Sequence, residues 1–133
     1  MSVAGAYSRH HDTRASNYQV WSWFFMRISG LVLVFLVLGH MLIMHVLDGG
    51  VDRIDYDFVA MRWTGWFWRT YDWLMLVLAM LHGAVGARNS IVDHIRKPRG
   101  QKVAKTILYG IVLVLLVLGT FVIVSFDPFQ TPG

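Results

Sequence analysis

Cysteine is absent from this chain of 133 residues, and so is glutamate. Without cysteine the chain can form no disulfide, no thiolate metal site and no iron–sulfur cluster held by its own thiolates. Charged residues are scarce, at 15% of the sequence, whereas hydrophobic residues make up 56%. A soluble core of this length would need many more polar residues to cover its surface, so the composition indicates a membrane protein.

The first twenty or so residues also lack the features of a secretory signal. They are polar, with no apolar core after a basic start and no small-residue cleavage site. We therefore expect the first apolar run to remain in the mature protein. Internal repeats and low-complexity segments are absent as well, and the length allows one domain, residues 1–133.

Three long apolar runs are present, at roughly residues 21–47, 66–91 and 104–126. Each reaches the ~20 residues that a helix needs to cross ~30 Å of hydrocarbon. Lipid offers no partner for backbone polar groups, so each run is expected to be a helix. The sequence thus predicts an all-α membrane protein with three transmembrane helices. It also predicts a turn at Pro98-Arg99-Gly100 and a short interfacial helix within residues 51–64.

The charges between the spans are unevenly distributed and predict an orientation. The first loop holds four Asp against two Arg, whereas the second holds six Lys or Arg against Asp93 alone. The N-terminal tail carries Arg9 and Arg14, and the tail after the third span has neither Lys nor Arg. The positive-inside rule places the N-terminus and the second loop in the cytoplasm and the C-terminus outside. We therefore attribute the net charge of +4 to contact with lipid headgroups and to membrane topology, not to nucleic-acid binding.

His82 lies in the apolar part of the second span, within the stretch LHGAVG. At helical spacing it shares one face with Gly86, Asn89 and Asp93. Gly83 and Gly86 leave room beside the imidazole for a flat group such as a porphyrin, and neutral imidazole is a good iron ligand. The alternative is a histidine that hydrogen-bonds to a neighbouring helix, with the glycines serving close helix packing.

Asp93 and His94 follow where the second span meets the basic loop. A carboxylate and an imidazole at this edge could exchange protons with water, although a solvated helix end with a surface ion pair is the alternative. Arg27 lies early in the first span. It could neutralise a buried anion such as a haem propionate, or it could extend to the lipid headgroups.

His40 and His45 lie in the outer half of the first span. We interpret His45 as interfacial and His40 as a hydrogen-bonded histidine, with ligation of a second haem as the alternative for His40. Tyr71, on the face of His82, has no assigned role, and we expect Asp72 to be interfacial.

The pattern resembles the hydrophobic membrane-anchor subunit of succinate dehydrogenase (succinate:quinone oxidoreductase), and in particular its D subunit. The three-span layout with a basic second loop is similar, and so is the early Arg27 in FMRISGLVLVF. The most specific match is His82 in LHGAVG with Asp93 eleven residues later. The segment RISG is also similar to the sister C subunit, so both paralogues remain open.

The resemblance implies roles for these residues. His82 would be an axial ligand of haem b, with Gly86 packing against the haem and Arg27 binding a propionate. Asp93 and the residue after it would lie beside the quinone. The family has a tyrosine at that next position, which donates a hydrogen bond to a quinone carbonyl, whereas this chain has His94.

The resemblance also implies an assembly in the cell (inner) membrane. A sister C chain would complete the helical bundle and supply the second haem ligand. An iron–sulfur subunit and a flavoprotein subunit carrying FAD would dock on the basic cytoplasmic face and deliver electrons from succinate to a quinone, menaquinone or ubiquinone. Two alternatives remain open: a fumarate reductase or other haem b anchor, and a non-redox structural or transport protein of the membrane.

Overall fold

The computed structural model describes residues 13–127 and Phe129, and the regular secondary structure in this part of the chain is all helical, with no strand. Arg9, which the charge argument uses, lies outside the described residues. The α-helices are α1 (Thr13–Met41), α2 (Tyr56–Thr64), α3 (Trp66–His94) and α4 (Pro98–Ser125). Three segments are long and apolar enough to cross a membrane, namely Asn17–Val46, Trp66–His94 and Pro98–Ser125. The predicted all-α fold with three membrane-spanning helices is confirmed.

The connection between α1 and α2 is a tight, irregular turn. The end of α1 widens into a π-helical turn at Leu42–Val46, and a 3₁₀ segment follows at Leu47–Arg53. Gly50 has a φ of +64°, and a Cβ added there would lie 2.7 Å from the carbonyl oxygen of His45, so the turn requires glycine. Asp55 then begins α2 by accepting a hydrogen bond from the Phe58 amide at 2.8 Å. The short helix predicted within residues 51–64 is therefore present, from Tyr56 onwards.

The turn between α3 and α4 differs from the predicted one. It occupies residues 95–97, and Pro98 is the first residue of α4. A proline suits that position because the first helical amides have no intrahelical partner. The side-chain amide of Gln101 donates to the Ile95 carbonyl at 2.7 Å and closes the turn. The prediction of a turn at Pro98–Gly100 is wrong. Helix α4 begins at Pro98, before the apolar run of residues 104–126 that predicted this span.

Helix α3 is the central element, since both α1 and α4 pack against it. Against α4, a Cβ added to Gly119 would lie 2.5 Å from Leu76, so the absent side chain makes room for the leucine. Against α1, the Tyr71 hydroxyl donates to the Leu36 carbonyl. It reaches that carbonyl over Gly39, where an added Cβ would lie 2.8 Å from the hydroxyl oxygen. Small residues thus bring the helices into close contact, as is common in membranes.

Little apolar surface is buried within the chain itself. Among the described residues only Ala60, Ala84 and Ile123 form a buried apolar core. In each of the three spans, only 6% of the most apolar window is buried. The rest of that surface must face lipid or other protein chains, as expected for a multi-pass membrane protein that does not complete a bundle alone.

Candidate functional site

The His82 imidazole lies between α3 and α1. Its Nδ1 is 2.8 Å from the hydroxyl oxygen of Ser29, which in turn donates to the Phe25 carbonyl at 2.6 Å. Gly30 lies directly against the ring, because a Cβ added to it would be 3.2 Å from the His82 Cε1. The second ring nitrogen, Nε2, has no hydrogen-bond partner among the described residues. The described part of the chain therefore holds the histidine by one nitrogen and offers no partner to the other.

A cleft of about 750 Å³ opens between the N-terminal part of α1 and the C-terminal part of α3. We call it the α1–α3 cleft. It is lined by Tyr18, Gln19, Ser22, Trp23, Met26, Arg27, Arg88, Asn89, Val92 and Asp93. The predicted site residues Arg27 and Asp93 thus line one cavity, although they lie 66 positions apart in the printed sequence.

Two guanidinium groups are held in the α1–α3 cleft by aromatic rings. The Arg27 guanidinium carbon lies 4.2 Å from the ring centre of Trp23, and that of Arg88 lies 4.5 Å from the ring centre of Tyr18. Such cation–π contacts orient an arginine without neutralising its charge. In the described part of the chain, neither arginine forms an ion pair and the Asp93 carboxylate accepts no hydrogen bond. The cleft therefore offers donors and one proton acceptor to a ligand that carries oxygen atoms.

His94 and Gly86, two other predicted site residues, are placed differently. His94 does not line the α1–α3 cleft in the described structure, and its Nδ1 contacts the Ser90 carbonyl at 2.9 Å on the exposed end of α3. Gly86 faces α1, where an added Cβ would lie 3.5 Å from the terminal methyl of Met26. The glycine in contact with the His82 ring is Gly30, on α1.

The opposite end of α3 carries a charged cluster that the sequence analysis missed. The Asp72 carboxylate accepts hydrogen bonds from Arg62 at 3.0 Å and from the Trp63 indole at 2.9 Å, and the His40 Nδ1 lies 3.3 Å away. We call these four residues the Asp72 cluster. They join α1, α2 and α3, and Arg62 is only 8% exposed. Asp72 is thus an interhelical anchor rather than a merely interfacial residue, and His40 is a hydrogen-bonded histidine.

The signal for this cluster was present in the sequence but ambiguous. Arg62 and Asp72 have opposite charges and flank the helix break at Gly65. The sequence could not show that α2 folds back onto α3, so both charges were assigned to the membrane surface. Arg62 also lies 4.6 Å from the ring centre of Trp68 and donates to the Met44 sulfur, which completes its enclosure.

No group of three or more potential metal ligands occurs in residues 13–127 or at Phe129. A metal held by His82 would therefore need further ligands from a macrocycle or from another chain. This requirement matches the large unburied surface of the spans.

Three membrane-spanning helices, a partly unpartnered histidine between two of them and a charged cleft at one end define a class of protein. The chain is a small multi-pass helical subunit of a larger membrane complex. It belongs to the succinate dehydrogenase/fumarate reductase transmembrane subunit family, whose model matches residues 1–123. A search of curated proteins finds no match to the chain. The family match makes the chain a membrane subunit of an oxidoreductase complex, and it confirms the resemblance drawn from the sequence.

The Asp72 cluster yields a prediction about stability. We expect Asp72→Asn to lower the free energy of unfolding by about 3–5 kcal/mol, because it leaves the buried Arg62 charge uncompensated. The measurement is an unfolding titration of the detergent-solubilised chain, followed by circular dichroism. Asp52→Asn is the matched control, since Asp52 is exposed and precedes α2.

The double variant R62L/D72N removes both charges and should recover most of the lost free energy of unfolding, since replacing a whole buried pair is far less costly than breaking it. Equal stability of D72N and D52N would show that the cluster does not hold the helices together.

Proposed function

We propose that this chain is the membrane-anchor subunit of a succinate dehydrogenase, that it ligates haem b through His82, and that the α1–α3 cleft forms part of the quinone-reduction site. The observation that carries the proposal is that His82 and the α1–α3 cleft lie on the same interface, between α1 and α3. His82 lies between α1 and α3, and the charged cleft lies between the same helices at their loop-facing end.

The residues around His82 fit a haem. One ring nitrogen is engaged by Ser29 and the other has no partner in the described chain, which is the condition for an axial ligand. A Cβ added to Gly83 would meet nothing within 4 Å, so space is open beside the histidine. Gly86, one turn later, adds no side chain to the same helix. The Arg27 guanidinium has no ion pair in the described structure and would bind a propionate.

Haem b, when bound, supplies a centre that accepts and passes on single electrons. In this chain His82 would hold the haem through one nitrogen, and Arg27 would supply a positive charge near the membrane edge. The second axial ligand would come from the sister anchor chain.

The haem proposal is tested by the reduced-minus-oxidised spectrum of the complex purified through a tag on this chain. We expect a b-type signal in the wild type and its loss in His82→Ala, because the iron loses a protein ligand. His45→Ala is the control, since His45 is exposed and lies at the end of the first span, away from His82. A His82→Ala complex that assembles with unchanged haem content would contradict the assignment.

In the quinone role, the α1–α3 cleft provides both donors and a proton-exchanging carboxylate. Arg88 can donate hydrogen bonds to a quinone oxygen and stabilise the negative charge that develops there on reduction. Asp93 lines the cleft and is exposed, so its carboxylate can pass protons from water. His94 lies at the exposed end of the helix and would supply the next step of that proton path.

We expect Asp93→Asn and His94→Ala to slow quinone reduction by the assembled complex, by about 10²-fold or more for the aspartate, because proton delivery is lost. The measurement is succinate-dependent reduction of a soluble quinone analogue, with the b-type spectrum recorded to confirm assembly. Asp57→Asn, which removes an exposed carboxylate at α2, is the control. Wild-type rates in both variants would rule out this role.

The α3–α4 turn presents an exposed basic surface formed by Arg96, Lys97, Arg99 and Lys102. This surface would face the cytoplasm and receive the iron–sulfur and flavoprotein subunits, which carry the iron–sulfur clusters and FAD. The positive-inside rule supports that orientation.

Reporter fusions test the orientation. We expect an alkaline phosphatase fused after residue 127 to be active, because this enzyme folds only outside the cytoplasm, and the same fusion within residues 96–99 to be inactive. The reverse pattern would show that the chain is inserted in the opposite sense.

A further inference from the structure

Ser29 is the least exposed residue in the described structure. It is 3% exposed, although it lies on a helix whose other residues are largely exposed. Its hydroxyl has two neighbours, the Phe25 carbonyl at 2.6 Å and the His82 Nδ1 at 2.8 Å. A polar group so buried stays in place only when its hydrogen bonds are made.

The direction of these two hydrogen bonds follows from the number of protons. A serine hydroxyl has one proton, and a carbonyl oxygen has none. Two oxygens 2.6 Å apart need a proton between them, so the Ser29 hydroxyl donates to the Phe25 carbonyl. Towards His82 the hydroxyl oxygen can then only accept, and the His82 Nδ1 must carry the donated hydrogen. The neutral imidazole is thereby held as the tautomer with a lone pair on Nε2.

Gly30 allows the same ring to lie close to α1. A Cβ at this position would lie 3.2 Å from the His82 Cε1, closer than most carbon contacts, so the imidazole would have to move by a few tenths of an ångström to accept a side chain there. The two neighbouring residues of α1 therefore act together: Ser29 selects the tautomer, and Gly30 permits the close approach.

We infer that Ser29 is a positioning residue for His82, which keeps Nε2 unprotonated and available to a metal and strengthens its electron donation to that metal through the Nδ1–H hydrogen bond. The inference rests on the proposed role of His82 as the haem ligand. Histidine ligands in metalloproteins donate their other N–H to an oxygen acceptor, and losing that acceptor typically costs ~10–100-fold in metal affinity.

The test compares Ser29→Ala with Ser125→Ala in the complete complex. Ser125 is a matched control, because its hydroxyl donates to the Phe121 carbonyl at 2.6 Å, as Ser29 does to Phe25, but contacts no imidazole. The readouts are the haem midpoint potential and the rate of haem transfer to apomyoglobin. For Ser29→Ala we expect a higher potential, since a less electron-donating ligand favours ferrous iron, and a rate of haem loss raised by about 10–100-fold. Ser125→Ala should match the wild type.

Further variants separate the possible failures. Ser29→Thr keeps the hydroxyl and should retain the wild-type potential. Where Ser29→Ala does not assemble, Ser29→Cys replaces it, and its weaker sulfur acceptor should shift the potential upwards to a smaller degree. A potential and a rate of haem loss unchanged in the assembled Ala or Cys variant would overturn the positioning role while leaving haem ligation intact. Retention of the b-type signal in His82→Ala would instead overturn the proposed function on which it rests.

Discussion

Inside the hydrocarbon layer a polar side chain needs a partner from the protein, because lipid supplies none. In this chain such partners meet along the interface of α1 with α3. Ser29 contacts His82, and the Leu36 carbonyl accepts a hydrogen bond from Tyr71, which lies about three helical turns before His82 in α3. Two contacts so far apart fix both the rotation and the translation of α3 against α1. The position of His82 and the shape of the α1–α3 cleft both depend on that register.

The two ends of this interface use arginine in different ways. At one end, Arg62 is buried and paired with Asp72, and this ion pair helps to join three helices. At the other end, Arg27 and Arg88 rest on aromatic rings and pair with no carboxylate in the described structure. A neutralised charge stabilises the fold, whereas an oriented but unneutralised charge can bind a ligand. This difference supports the proposal that a ligand binds in the α1–α3 cleft.

The small buried core of the chain and its single candidate metal ligand both indicate assembly with further chains. Two spans packed against a central third one bury few side chains in the described residues, and a single histidine supplies only one metal ligand. The apolar faces are left to lipid or to further chains, and a metal at His82 would need further ligands. Membership of a family of transmembrane subunits agrees with this property.

Several features could be read directly from the sequence. The number of spans follows from the length of apolar runs, and His82, Arg27 and Asp93 stood out as polar residues in or beside them. The turn at Pro98 was misplaced because proline both breaks and begins helices, and neighbouring residues alone do not tell which. The partnership of Ser29 with His82 and the Asp72 cluster appeared only in the tertiary structure. The spans are apolar on nearly every face, so periodicity does not reveal which face meets which helix. Hydropathy is a sum over one segment, whereas pairing depends on how two segments are rotated and shifted against each other.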